Sequence, residues 1–383
     1  VTPAPLARDA FRTGPEAYLA GNSLGLQPIA ARAAIERRLE EWATLGVEGW
    51  FEAGWLEVSR AMAPALARVV GARPDEVAVM NTLSVNLHLL LAALYRPSAT
   101  RYRIVIDADA FPSDSHVVAS HVAWHGLDPA DAVVRDAEAI DESVAVVLRA
   151  GVSYLSGERA DVRAATGRAH AAGALVIWDL AHAAGNVPLA MHDDDVDAAA
   201  WCSYKYLNGG PGAPGGVFVH QRHHAVPRLA GWWGVDPSTR FVMASEFVAR
   251  AGAEGFALST PSVLAYAPVA ASLELFDQFG MASLRATSVA LTAHLESLLD
   301  EVATRRPLRI TTPRDPERRG CQLSLSVPAA RAVAGRLRAE HGVVCDFREP
   351  DVLRFAPVPL YTSAQDCARA AAALDAVLGP TAG

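Results

Sequence analysis

The sequence predicts an α/β protein in which a mostly parallel central sheet is flanked by helices and followed by a smaller α+β domain. Three observations predict it. Short β-rich apolar runs alternate with Ala-rich amphipathic stretches over roughly the first 275 residues. Beyond that point a long helical stretch leads into a group of short strands. The residues able to do chemistry gather where the candidate strands end, which is where open α/β sheets hold their ligands.

Taken in order, a turn at Gly21–Gly25 and a helix over Ile29–Leu45 form an N-terminal segment, 1–54, expected to pack with the small domain. The large domain, 55–277, carries candidate strands Glu76–Met80, Arg103–Asp107, Val144–Arg149, Ala174–Asp179, Asp197–Cys202 and Gly216–His220. Helical stretches such as Asp161–Ala172 lie between them. The small domain, 278–383, opens with a helix over Met281–Val302. Its strands are expected at Arg309–Thr312, Gln322–Val327, Val343–Phe347 and Val352–Ala356, with helices at Ala329–His341 and Ala364–Leu378. No internal repeat or low-complexity linker interrupts the chain.

Composition narrows the function classes. With 383 residues, 51% of them apolar, the chain can bury a large core. A net charge of −8 without any Lys/Arg run argues against nucleic acid or an anionic membrane as partner. Apolar runs are broken well before the roughly 20 residues that a membrane span requires. Val1–Ala10 lacks a basic start followed by an apolar run, so no secretory signal is expected and a cytoplasmic location is the default. Cys202, Cys321, Cys345 and Cys367 match no zinc or redox spacing, and no metal is expected.

The charge inventory is more specific. Lys and Arg together number 34, and Lys205 is the only lysine. Coding bias toward arginine explains the shortage but not the exception. Arginine can stand in wherever only positive charge is needed, yet it cannot form an imine. A surface lysine surviving by chance is the alternative, and the neighbours decide between them.

Lys205 sits in Cys202–Asn208 (CSYKYLN), after a candidate strand and before Gly209, Gly210 and Gly212, as a backbone wrapped closely around a cofactor requires. Trp178–His182 (WDLAH) ends another strand, placing Asp179 and His182 to meet one ring; a capping Asp and a structural His are the bland alternative. Phe111–Asp114 (FPSD) offers an aromatic face and a further carboxylate, or else a simple turn and N-cap. Asn81–Ser84 precedes the apolar helix Val85–Leu94, and backbone N–H groups at such a start suit a phosphate. An amine, a carboxylate, an aromatic lid, a phosphate cup and a cation are together what pyridoxal 5′-phosphate (PLP) needs from a protein.

At these motifs the chain resembles the kynureninases. The resemblance is carried by Tyr18–Gly25 (YLAGNSLG), Met80–Leu90 (MNTLSVNLHLL), Phe111–Asp114, Trp178–Val187 (WDLAHAAGNV) and Cys202–Asn208. Gly231–Gly234 (GWWG) with Ser238–Phe241 (STRF), Arg319–Leu323 (RGCQL), Val343–Asp346 (VVCD) and Arg354–Tyr361 (RFAPVPLY) continue it, in order, over nearly the whole chain. It implies the PLP-dependent transferase fold of type I, related to class V aminotransferases, in a homodimer with active sites near the subunit boundary. It further implies hydrolytic Cβ–Cγ cleavage of L-kynurenine or 3-hydroxykynurenine to an anthranilate and L-alanine. Lys205 would hold the cofactor, Asp179 would face the pyridine nitrogen with Ser113 and Asp114 close by, and Phe111 would stack on the ring. Leu83, Ser84, Tyr204, Trp232 and Thr260 would serve the phosphate, His182 the ring oxygen, and Arg354 with Asn22 the substrate. Tyr204 would also take part in proton transfer.

Two positions depart from the family pattern. Val235 follows GWWG, and Val47 follows Gly46, where the family has His next and often has His, respectively. Both lie near the substrate's aryl end in the family, so two apolar replacements favour an apolar ring substituent such as a methyl at position 4. That would suit a secondary-metabolic variant of the enzyme; neutral drift is the alternative. A desulfurase or aminotransferase on the same fold, or a non-catalytic relative, are the rivals. The desulfurase needs a mobile cysteine, whereas Cys321 and Cys345 are expected in strands.

Overall fold

The computed structural model describes residues 3–243 and 245–379. Its central feature is a seven-stranded sheet in the order Val77–Val79, Gly216–Val219, Ala198–Trp201, Leu175–Asp179, Val144–Ala150, Arg103–Ile106, Val133–Val134. Only Gly216–Val219 runs against its neighbours. The other pairings are parallel, and parallel strands need helical crossovers that cover both faces. That is why these strands read as continuous apolar runs. In Leu175–Asp179, Val176 and Trp178 enter one core while Ile177 enters the other.

Helix starts obey local chemistry. Asp161 caps Val162–Ala171 by accepting the Ala164 N–H at 3.0 Å, and Ser363 with Asp366 forms a reciprocal cap on Ala364–Val377. The long helix is longer than the sequence suggests: Val263–Ala303, interrupted at Gly280, whose φ of 70° leaves the helical region. The break separates a first half packed under the large sheet from a second half that joins the small core through Leu291, Leu295 and Leu299.

The small sheet runs Asp346–Arg348, Val352–Phe355, Leu323–Ser326, Arg309–Ile310, all antiparallel. The expected strand Val343–Phe347 is split. Val343–Val344 instead pairs in parallel with Ala17–Tyr18, so the N-terminal segment adds Ala17 and Leu19 to the small core. Helix Ile29–Leu45 packs on the long helix. Cys321 and Cys345 are not in strands, contrary to expectation. Cys321 precedes Leu323–Ser326 because its N–H is taken by the Asn186 side chain at 3.0 Å, and Cys345 lies at the split.

Candidate active site

Two parallel strands, Leu175–Asp179 and Ala198–Trp201, deliver the key residues from their carboxyl ends. Asp179 closes its strand and folds back to accept the Ala181 N–H at 2.7 Å. The other strand leads into the turn that carries Lys205. This turn is fixed from across the molecule: Gly25 donates its N–H to the Tyr204 carbonyl at 2.8 Å, and a Cβ on Gly25 would collide with the Lys205 carbonyl and Asn208. Lys205 Nζ then lies 3.0 Å from His182 Nε2.

The electrostatics are those of a buried, partly unpaired cluster. Asp114, in the first turn of Pro112–Trp124, is 2% exposed beside Asp179. Burial, then the charge of Asp179 and a hydrogen bond to it, holds the Asp114 carboxyl well above its ordinary value. Asp179 is also raised by burial, although Lys205 and the Ala181 N–H pull the other way. Of the two adjacent carboxyls, Asp114 is the more strongly raised, and the contact between them raises Asp114 while lowering Asp179. Burial, followed by the charges of Lys205, Arg354 and Arg348, keeps His182 well below its usual value and hence neutral. Its Nδ1 is buried without a partner among the described residues, as is Ser203 Oγ. Burial pushes the Tyr204 phenol up, and its ring centre lies 5.9 Å from Lys205 Nζ.

These groups open on a cavity of about 1230 Å³ lined by Leu83, Ser84, Phe111, Ser113, Asp179, His182, Tyr204 and Lys205. Leu83 and Ser84 begin the helix Leu83–Leu94, whose first N–H groups have no partner within the helix. Phe111 stands edge-on to Tyr154, with centroids 4.9 Å apart.

Other expected site residues lie elsewhere. Asp114, buried beside Asp179, does not line the cavity. Asn22 is fully buried and donates to Gln322 Oε1 at 2.9 Å. Arg354 is also fully buried, paired with Asp346 at 2.7 Å. Trp232 (44% exposed), Thr260 and Val47 (69% exposed) face solvent, and Val235 is half-buried; none lines the cavity. Tyr154, Ser23 and Arg348 line it without having been anticipated as site residues. Ser23 and Asp346 lay inside quoted motifs. Arg348, two residues beyond Asp346, could have been found from strand alternation alone.

Comparison with known proteins places this arrangement. The kynureninase C-terminal domain profile matches residues 284–374. The kynureninase of Salinispora tropica is 53% identical, over 97% of this chain and 92% of that protein. The chain belongs to the kynureninase family. The kynureninases of Koribacter versatilis and Xanthomonas oryzae pv. oryzae are 50% and 52% identical, each covering 92% of this chain and 88% of their own length.

Among solved structures, a cysteine desulfurase from Escherichia coli aligns with a TM-score of 0.80 at 19% identity, covering 97% of both chains. A cystine C–S lyase aligns at 0.81 with 18% identity, over 94% of this chain and 98% of that one. These likenesses show the shared type I fold. Burial pushes the thiols of Cys321 and Cys345 up to about 12, so neither has the activated sulfur that a desulfurase nucleophile requires.

Kynureninases are PLP-dependent hydrolases, and the residues here fit that cofactor. A lone amine, a buried carboxyl, His182 and a helix N-terminus all border one cavity.

Proposed function

We propose that this chain hydrolyses the Cβ–Cγ bond of L-kynurenine or 3-hydroxykynurenine, releasing an anthranilate and L-alanine. One observation carries the reading: the sole lysine, 3.0 Å from His182, borders the same cavity as Asp179 in a chain half-identical to kynureninases. Bound PLP supplies an electron sink for the substrate carbons. Lys205 holds the cofactor and moves the substrate's Cα proton. Asp179, backed by Asp114, whose carboxyl burial holds well above its ordinary value, keeps the pyridine nitrogen cationic. His182, which lines the cavity beside Lys205, hydrogen-bonds the cofactor's ring oxygen. Leu83 and Ser84 present N–H and hydroxyl groups to the phosphate, Phe111 covers the ring, and Tyr204 passes a proton at Cβ. Arg354 supplies positive charge for the substrate carboxylate, and Asn22 fixes the wall behind it through Gln322.

A second copy of the chain completes the site in this reading. Trp42, Val47, Phe51, Trp232, Phe241, Val242 and Met243 are all exposed, and Phe51 and Trp232 both pack on Phe241 at 5.7 and 6.0 Å. An apolar face of this kind on a water-exposed surface marks an interface. Dimerisation would carry Trp232 and Thr260 to a neighbouring phosphate and Val47 to a neighbouring aryl pocket, with Val235 closing that pocket. Two valines there would favour a ring-methylated substrate. The organisation follows the same division: a segment 1–54 tied to the small domain 278–383, and a cofactor domain 55–277.

The test is a panel of kynurenine, 3-hydroxykynurenine and 4-methyl-3-hydroxykynurenine followed by anthranilate fluorescence. Turnover of any member is expected. Absence of all anthranilate products refutes the activity, and equal or better kcat/KM on unsubstituted kynurenine refutes the methyl preference.

A further inference from the structure

At the amino end of the large sheet, opposite the end that carries Lys205, packing assembles Glu76, His192 and His220. Glu76 leads into strand Val77–Val79, and His220 follows strand Gly216–Val219, which runs antiparallel to it. That register puts both residues at the same end of the strand pair. His192 arrives from the 180–197 connection, held by its N–H on the Gly71 carbonyl at 2.9 Å. None of the three lines the cavity of Lys205. They lie far apart in the sequence and form no metal-binding spacing, so the chain gives no hint of the cluster.

Their donor atoms converge. Glu76 Oε1, His192 Nδ1 and His220 Nδ1 all lie within 4.8 Å of one another, and Glu76 is fully buried. Backbone N–H groups of Arg73 and Gln221, each at 3.0 Å, fix the carboxylate. His192 Nδ1 meets its two oxygens at 2.9 and 3.0 Å. His220 Nδ1 accepts the Arg222 N–H at 3.3 Å, so it presents a lone pair, yet it faces Glu76 Oε1 at 3.9 Å. Two acceptors turned toward one gap repel each other unless a cation or a donor lies between them. Ligands about 2.1 Å from a shared ion stand roughly 3.4 Å apart at a tetrahedral angle, so each separation needs to change by about half an ångström. The imidazoles, nearly parallel with centres 5.0 Å apart, must also tilt toward the gap. Beyond the gap, His220 Nε2 faces Asp195 Oδ1 at 3.9 Å, an outer carboxylate of the kind that orients a metal-bound histidine. Arg222 is paired with Asp195 and Asp197, which leaves the charge of Glu76 to the gap.

We propose that Glu76, His192 and His220 form a structural site for a divalent transition-metal ion of the Zn²⁺ class. Two imidazoles and one carboxylate suit such an ion, whereas Mg²⁺ and Ca²⁺ demand oxygen ligands. On binding, the His192 Nδ1 proton leaves to solvent and the freed lone pair joins the ion. The Arg222 N–H, on an exposed residue, passes from His220 to water. The ion clips the edge strand Val77–Val79 and the 180–197 connection to the end of Gly216–Val219. Because these segments meet only in the fold, the binding free energy adds to stability.

Untagged holoenzyme, stripped of metal by a chelator, is titrated with Zn²⁺ against a chromophoric chelator and with Co²⁺ by visible absorbance. One Zn²⁺ per chain is expected, with a Kd below about 1 µM, and Tm should rise with free Zn²⁺. Co²⁺ should give the intense bands of a four-coordinate ion, and millimolar Mg²⁺ should not compete. H192Q and H220Q should each weaken Zn²⁺ binding by about 100-fold or more and lose the Zn²⁺-dependent rise in Tm. H125Q, at an exposed histidine elsewhere, should bind as wild type does. No stoichiometric Zn²⁺ at about 10 µM overturns the proposal whatever the variants do. Wild-type affinity in H192Q and H220Q overturns it too, as does a weak six-coordinate Co²⁺ spectrum, and the cluster is then a hydrogen-bonded Glu–His pair. Should one histidine variant fail to fold, the other decides.

Discussion

The same two strands, Leu175–Asp179 and Ala198–Trp201, carry a buried acidic cluster at each end, and the two clusters are opposites. At the amino end Asp197, 1% exposed, accepts the Val176 N–H at 2.8 Å, His170 at 2.8 Å, His223 at 2.7 Å and Arg222 at 2.7 Å. Burial raises its carboxyl, but these hydrogen bonds outweigh it and hold the group far below the ordinary range. At the carboxyl end Asp114 and Asp179 are raised, and His182 keeps a buried nitrogen unpartnered. Burial is similar; satisfaction is not. A structural cluster closes its hydrogen bonds internally, whereas a binding cluster leaves them for the ligand.

The largest expected effects test the unsatisfied end. Lys205→Arg keeps the charge and should lower kcat by roughly 10⁴-fold or more while abolishing the lysine–cofactor absorbance band, because a guanidinium forms no imine. A yellow, active arginine variant would break the comparison. Asp179→Asn should cost about 10²- to 10³-fold in kcat, as expected for removing an oriented charge from a dry site, with little loss of Tm.

Asp197→Ala probes the satisfied end. It should destabilise the protein by about 3–5 kcal/mol, read by denaturant unfolding, with kcat unchanged in the folded fraction. The pH dependence has a definite sign. Because the folded Asp197 value lies below the unfolded one, its stabilisation is full above the ordinary carboxylate range and is lost as pH falls below about 4. The loss should be shallower in Asp197→Asn.

Asp114 gives the smallest effect and the opposite sign. Its folded value is raised, so its contribution is present at low pH and lost as pH rises through that value. In cofactor-stripped protein Asp114→Asn should change stability by less than about 1 kcal/mol near neutrality, on the stabilising side. Marked destabilisation would mean that Asp114 is ionised in the fold.

Much of this was legible in the chain. The helix Ile29–Leu45 has the bounds its pattern predicts, and the short β-rich apolar runs between amphipathic stretches pointed to strands covered by helices. The shortened and split strands were not legible, because their ends are set by side chains distant in sequence, such as Asn186 on the Cys321 N–H. Nor could spacing reveal that Arg354 is already engaged by Tyr154, Ser23 and Asp346.

The sequence by itself pointed to imine chemistry through one lysine among so many arginines together with the motifs around it, the count alone leaving a chance surface lysine open. The motif order determined the family. Only the tertiary structure decided which groups are satisfied. Whether a carboxyl is raised or lowered depends on how many donors converge on it, and partners such as Arg222 for Asp197, or Asp179 for Asp114, are brought together by packing across long stretches of chain.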